Sequence, residues 1–220
     1  MPSPHMISIE DLKRLAPGPF APQILDVRID EDFAEDPRLI PGAIRATHLS
    51  PEVKPNTPVV TVCHKGAKLG QGTAALLRSQ GVNARALTGG FVGWADSGGL
   101  LVPPSQTTRW SAPRGGDLSV LWLIRRYLSP DAAFLIVEPD SAALVAEKFN
   151  GELAPADFQA ALEQFGLNSG QLDALARHLA QPSIQAVLAG LNQIYEDDLE
   201  RLTAAMPVFD AVSRVGNEYV

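Results

Sequence analysis

The sequence predicts two folds in one chain: an α/β domain over residues 1–102 and a mainly α-helical domain over residues 114–220, joined by a linker at 103–113. Three observations carry this reading. A chain of 220 residues has room for two domains of about 100 residues each. The first half alternates short β-rich runs with short helical patterns, which implies a mostly parallel sheet with helices on both faces. Between the halves, Gly98-Gly99-Leu100-Leu101-Val102-Pro103-Pro104-Ser105-Gln106-Thr107-Thr108 gathers Gly and Pro with no apolar period, and the charge balance changes just beyond it.

In the first half, Gln23–Val27 and Pro58–Val62 are β-rich runs bounded by Pro and turn residues; Ala43–Thr47 and Ala84–Leu87 are shorter strand candidates. Ile9–Leu15 reads as a helix, with Ser8 and Asp11 placed as a capping box. Gln71–Gln80 reads as a second helix, closed by Gly81. Met1 to Met6 are assigned no element of the fold. The second half opens with an almost wholly apolar helix, Leu118–Leu128, which must be buried on most sides. One strand candidate follows, Ala133–Val137, cut off by Pro139. Helical segments then run over Ser141–Phe149, Asp157–Phe165, Gly170–Ala180 and Ser183–Val215, the last broken near Tyr195 and at Pro207. Gly151 and Gly166 stand where helix C-caps belong.

Composition excludes several function classes. The chain is 45% hydrophobic and 20% charged, ordinary globular material with apolar side chain enough for a core in each half. No run approaches the ~18 uncharged apolar residues of a membrane helix, and Met1–Met6 lacks the basic-then-apolar layout of an export signal. One cysteine in 220 residues excludes an internal disulfide framework and any all-cysteine metal site. A cytoplasmic protein is the default expectation. Residues 114–220 hold 7 Lys and Arg against 15 Asp and Glu, a balance that repels phosphate backbones, so no nucleic-acid partner is expected there. No metal or other cofactor is expected: His178 is the sole histidine of the second half, and no His, Cys and Asp spacing there resembles a metal site.

The chemistry concentrates at the single cysteine. Cys63 ends a buried-looking strand and is followed by His64-Lys65-Gly66-Ala67-Lys68-Leu69-Gly70, then a helix. A loop whose N–H groups converge ahead of a helix N-terminus cradles anions. The helix end, Lys65 and Lys68 would all favour negative charge on the sulfur. Gly66 lets the backbone curl without a Cβ clash. The plain alternative is a small buried hydrophobe, but three basic or polar side chains close behind a packing cysteine argue against it. His64 is open to two readings, an acid or base beside the thiolate and a loop residue that contributes its backbone N–H.

These residues belong to a larger pattern. Asp26-Val27-Arg28 with Asp32-Phe33, then Ile40-Pro41-Gly42-Ala43-Ile44, Cys63 with Gly66, and Gly89-Gly90-Phe91 with Trp94 follow one another in an order that resembles the rhodanese (sulfurtransferase) domain over about residues 6–104. The resemblance implies a rhodanese-like α/β fold in which Cys63 takes a sulfane sulfur from a small-molecule donor such as thiosulfate and holds it as a persulfide. A thiol or a cyanide-like acceptor then removes it. It also implies that the loop of His64, Lys65, Gly66, Ala67 and Lys68 binds the transferred group. Asp26, Arg28 and Asp32 would support the site, with Arg28 and Asp32 forming an ion pair. Two positions depart from the family: Leu39 stands where His usually precedes Ile-Pro-Gly-Ala, and Lys68 where many members carry Arg, which keeps charge but loses the two-pronged donor. Related phosphatases need a loop one residue longer with Arg six positions after Cys; here that residue is Leu69, so phosphoryl chemistry lacks its clamp.

In the second half, Trp122-Leu123-Ile124-Arg125-Arg126-Tyr127, Pro130–Leu135, Phe158…Leu162…Phe165-Gly166-Leu167 and Val208-Phe209-Asp210-Ala211 resemble the C-terminal domain of the chromate-resistance (ChrB-type) family over about residues 109–215. That family generally shows Cys-Pro where Val120-Leu121 stand, and a His-rich acidic segment where this chain has Gly151–Asp157, so an oxyanion or metal role there is expected to be lost. Arg125 and Arg126 are the remaining candidates for an oxyanion contact, the alternative being pairing with nearby carboxylates. The run Glu196-Asp197-Asp198…Glu200 reads as a solvated helix face. Two functions from different classes follow: a sulfurtransferase, and a non-catalytic chromate- or oxyanion-responsive sensor that uses the first domain as a binding module.

Overall fold

A computed structural model describes residues 4–167 and 169–215. The chain divides into two compact units, one running to Pro104 with Arg126–Leu128 added, the other made of Ser105–Arg125 and the residues from Ser129 onward.

The first unit is an α/β fold around a five-stranded, wholly parallel sheet. Its strands are β1 (Met6–Ile7), β2 (Gln23–Asp26), β3 (Ala43–Arg45), β4 (Val59–Val62) and β5 (Ala84–Leu87), in the order β1-β5-β4-β2-β3. β4 lies centrally and every one of its residues is buried, as expected for a strand covered on both faces. Its register sets Val60 opposite Ile24 and Arg85, and Val62 opposite Asp26. Met6 and Ile7 pair with Ala86 and Leu87, so an edge strand begins at Met6, a residue to which the sequence assigns no element.

The helices of this unit are α1 (Ile9–Leu15), α2 (Asp30–Glu35), α3 (Lys68–Ser79) and α4 (Gly90–Asp96). Ser8 caps α1 as expected, its hydroxyl oxygen accepting from the Asp11 N–H at 3.0 Å. α3 begins at Lys68, three residues earlier than the apolar pattern indicated, and so opens directly behind the cysteine loop. Gly81 closes it with φ +84°, the Gly81 and Val82 N–H groups donating to Arg78 and Leu77 carbonyls. Leu25, Val27, Val59, Ala74, Leu77, Ala84 and Ala86 form the core, and Cys63 is part of it.

The second unit is mainly helical and carries a small parallel sheet. β6 (Arg109–Pro113) lies between β7 (Ala133–Val137) and β8 (Glu152–Leu153). β6 falls inside the stretch expected to be linker; Trp110 and Ala112 are buried and pair with Phe134 and Ile136 of β7, which makes it a structural strand. The apolar helix is α5 (Leu118–Leu123), continued by a π-helical turn over Ile124–Leu128 in which the Ser129 N–H donates to the Ile124 carbonyl. Asp117 caps α5 through the Ser119 N–H and also accepts from the Phe158 N–H. Then come α6 (Ala142–Lys148), α7 (Phe158–Gln164), α8 (Gly170–Leu179), α9 (Pro182–Ile194) and α10 (Asp198–Val215).

Three local expectations are corrected. The chain breaks near Tyr195 but not at Pro207, which lies inside α10. Buried Leu202, Ala205, Met206, Phe209 and Val212 on its flanks outweigh the hydrogen bond that Pro207 cannot donate. Gly166 takes the left-handed conformation that ends a helix, but after α6 it is Asn150 at φ 49° that does so. Gly151 serves close packing instead: a Cβ there would lie 2.6 Å from the Arg109 carbonyl oxygen. Of the acidic run, Glu196, Asp197 and Glu200 are exposed, whereas Asp198 is buried and paired with Arg201.

Candidate active site

Cys63 follows the last residue of β4 and is 5% exposed. Two turns of glycine geometry shape the loop behind it. Gly66 has φ +66°, and a Cβ there would fall 2.5–2.7 Å from the Gly90 and Gly89 nitrogens and the Leu87 carbonyl oxygen. Gly90 reciprocates: its Cβ would come within 2.2 Å of the Gly66 nitrogen and 2.3 Å of the Cys63 carbonyl oxygen. Only paired glycines let these two backbones touch.

The contact locks the loop in one sense. The Cys63 carbonyl accepts from the Phe91 N–H at 2.9 Å and the His64 carbonyl from the Val92 N–H at 3.0 Å. The Gly66 carbonyl accepts from the Gln71 side-chain amide, and the Ala67 carbonyl from the Gln71 N–H. These carbonyls are thus spent. No N–H of residues 64–67 donates to another group among the described residues, and the open first turn of the twelve-residue α3 follows at Lys68. A loop with engaged carbonyls and unspent amides, backed by a helix N-terminus, is an anion cradle. The Thr61 hydroxyl fixes α3 to β4 by donating to the Gly70 carbonyl at 2.7 Å.

The sulfur has space because of a residue the sequence reading gave no role. At Gly70 a Cβ would stand 3.1 Å from Cys63 Sγ, so any side chain in that first helical turn would crowd it. Sγ lies 4.0 Å from the Ala67 carbonyl oxygen, to which the thiol donates. Lys65 and Lys68 are exposed, and Leu69 packs against the core instead of facing the loop.

Arg28 is buried, but its partner is Asp26 and not Asp32. Nε donates to both Asp26 oxygens at 2.8 and 3.1 Å, and Nη1 and Nη2 donate to the Asp36 and Arg38 carbonyls. The extended chain explains the choice: residues two apart share a side of a strand, whereas Asp32 lies half-buried within α2. The guanidinium stacks 3.6 Å from the Phe91 ring and 4.8 Å from that of Phe33, and Arg45 sits 4.4 Å over the other approach to Phe33 while pairing with Asp26 and Asp30. This cluster holds Phe91, whose N–H grips the Cys63 carbonyl. Nearby, the Arg38 guanidinium bonded to Asp36 holds that carboxyl below its ordinary value of 3.8, against the opposing effect of partial burial. Leu39 is buried and bridges backbone to backbone with Val102.

His64 is partly buried. Its Nε2 lies 3.8 Å from Oε2 of Glu35, and its Nδ1 is buried with no hydrogen-bond partner. Glu35 carried no signal in the sequence, being one of several carboxylates in α2.

In the π-helical turn after α5, Arg125 and Arg126 are half-buried. Arg125 donates to the Ala132 carbonyl at 3.2 Å and stacks 4.8 Å from the Phe134 ring, so a carbonyl and an aromatic face are among its partners. Val120, Leu121 and Ala156 line one open cleft beyond the carboxyl ends of β6 and β8, together with Gly115, Asp117 and Asp198. The Trp122 indole N–H donates to Asp210 at 2.8 Å in the core beside it.

Fold and loop together define a rhodanese-like α/β domain, and residues 8–97 match the rhodanese-like domain model. No curated protein matches the chain. Among solved structures, it is similar to a rhodanese-related protein from Thermoplasma volcanium, with 20% identity, 44% of this chain and 97% of that one covered, and a TM-score of 0.39. A Rhodopseudomonas palustris protein of unknown function described as a possible tyrosine phosphatase shares 23% identity over 43% of this chain and 82% of its own, with a TM-score of 0.36. A probable thiosulfate sulfurtransferase shares 28% identity over 46% of this chain and 49% of its own, with a TM-score of 0.37. On the family model, residues 8–97 are a rhodanese-like domain. No helix among the described residues is long and apolar enough to cross a membrane.

Proposed function

We propose that the first unit is a sulfurtransferase in which Cys63 carries a sulfane sulfur as a persulfide, from a thiosulfate-like donor to a thiophilic acceptor. The observation that carries the reading is the cysteine loop, with its carbonyls engaged by Phe91, Val92 and Gln71 and the amides of residues 64–67 unspent around a nucleophile ahead of α3. Those amides stabilise the negative sulfur; Lys65 and Lys68 draw an anionic donor toward it. The Cys63 thiolate attacks the outer sulfur of thiosulfate, the sulfur–sulfur bond breaks, and sulfite leaves with the bonding pair. With one cysteine in the chain, no second thiol can take the sulfur on, so it goes directly to an external acceptor. A phosphatase reading lacks its clamp, since Leu69 packs into the core at the position of the required Arg.

Steady-state thiocyanate formation from thiosulfate and cyanide tests the reading: wild-type protein turns over, and Cys63→Ser does not. A second reading, a non-catalytic oxyanion-responsive module, draws on the burial of Cys63 and on Lys68 in place of Arg. It expects thiosulfate to bind without thiocyanate appearing. A link to chromate resistance rests on the sequence resemblance of residues 109–215, and the expected test is chromate tolerance of cells with and without the chain.

A further inference from the structure

A buried polar atom without a partner costs roughly 1–3 kcal/mol, so each one calls for a reason. Four such side-chain atoms occur among the described residues, and one of them, His64 Nδ1, belongs to the residue after the cysteine. The other ring nitrogen, Nε2, faces the Glu35 carboxylate at 3.8 Å, an ion-pair separation too long for a direct hydrogen bond. A carboxylate on that side favours the tautomer protonated on Nε2. Nδ1 is then a bare acceptor inside the protein, on the residue that follows the nucleophile in the chain, with nothing to accept.

On the reading of Cys63 as a persulfide carrier, we propose that His64 is the general base for thiol acceptors, with Glu35 as its positioning residue. The acceptor RSH gives its proton to Nδ1 as its sulfur attacks the outer sulfur of Cys63–S–SH. The bond between Sγ and the outer sulfur breaks, the new bond joins the outer sulfur to the acceptor, and the electron pair returns to Sγ. The products are RS–SH, the Cys63 thiolate and protonated His64, which balances hydrogen and charge; the proton then leaves to solvent. No external oxidant is needed, because Sγ is reduced by the amount the acceptor sulfur is oxidised. An acceptor that attacks through an unprotonated lone pair, such as sulfite, has no use for the base.

The test is single-turnover discharge of the full chain, preloaded with one sulfur atom by polysulfide and freed of excess reagent, into glutathione or sulfite, followed by intact mass. His64→Ala lowers the ratio of glutathione to sulfite discharge rates by at least about tenfold, the lower range of general-base effects, and added imidazole restores the glutathione branch. Glu35→Gln lowers the same ratio by a smaller factor, about threefold, by loosening the ring. A ratio unchanged in His64→Ala, or a lost glutathione branch that imidazole does not restore, overturns the proposal. If the wild-type chain holds no added sulfur before any acceptor is supplied, the persulfide reading itself fails, and the base falls with it.

Discussion

Replacing Gly66 by alanine tests the backbone contact that shapes the site. The new Cβ would meet three backbone atoms, the Gly90 and Gly89 nitrogens and the Leu87 oxygen, at 2.5–2.7 Å. Moving them to ordinary separation means opening the contact by about 0.7–0.9 Å, an overpacking strain worth roughly 1–3 kcal/mol. A residue with a Cβ at φ +66° adds roughly 1–2 kcal/mol. The hydrogen bonds from Phe91 and Val92 to the Cys63 and His64 carbonyls stretch in the same movement. The expected cost is therefore about 2–5 kcal/mol, read from urea unfolding of the full chain with probes in both units, because a two-unit chain need not unfold in one step. The control is Gly72→Ala in α3, where nothing lies within 4 Å of the new Cβ; it is neutral or stabilising by up to about 1 kcal/mol. A Gly66→Ala protein within about 0.5 kcal/mol of wild type, a change typical of inconsequential surface sites, would refute the account of the loop.

Further outcomes follow from the same geometry. Arg28→Met removes the closer of the two guanidinium partners of buried Asp26 and leaves only Arg45 at 3.3 Å, at a cost of up to about 3 kcal/mol, and the double variant Asp26→Asn/Arg28→Met recovers part of it in a denaturation cycle. Asp36, held below its ordinary 3.8 by Arg38, contributes stability that is present above that value and lost as pH falls through the folded one. Because the pair is partly exposed, the amount is at most about 1 kcal/mol, and Arg38→Ala moves the Asp36 titration, followed by NMR, back up toward 3.8. Lys68→Ala slows loading from thiosulfate about three- to tenfold through weaker capture of the anion, while loading from a neutral persulfide donor changes less.

Much of this architecture is written in local pattern. β2, β4 and β5 are apolar runs between turn residues, and α1 announces itself through Ser8 and Asp11. The elements that escape are those whose formation depends on partners far away. β6 has Ser111 and Pro113 within it and follows a Pro-rich stretch, so only its pairing with Phe134 and Ile136 makes it a strand. α2 buries no residue and carries no apolar period. Pro207 ends helices in isolated chains, and tertiary burial around Phe209 overrules it. At the site, Cys63 and Gly66 were legible because strand, cysteine, glycine and helix follow one another in sequence. Gly70 and Glu35 were not, since their relevance lies in distances to Sγ and to His64 across a turn. The motif pairs Arg28 with Asp32, whereas the two-residue spacing of Asp26, the last residue of β2, and Arg28 just beyond it holds the observed pair.

The claim at the centre is that Cys63 forms a persulfide, and intact mass spectrometry of the full chain addresses it directly. After incubation with thiosulfate, the wild-type protein is expected to gain the mass of one sulfur atom and to lose it on addition of cyanide, with thiocyanate in solution, while Cys63→Ser gains nothing. A wild-type chain that gains no sulfur from thiosulfate, mercaptopyruvate or a persulfide donor, or a Cys63→Ser chain that gains it equally, would contradict the account.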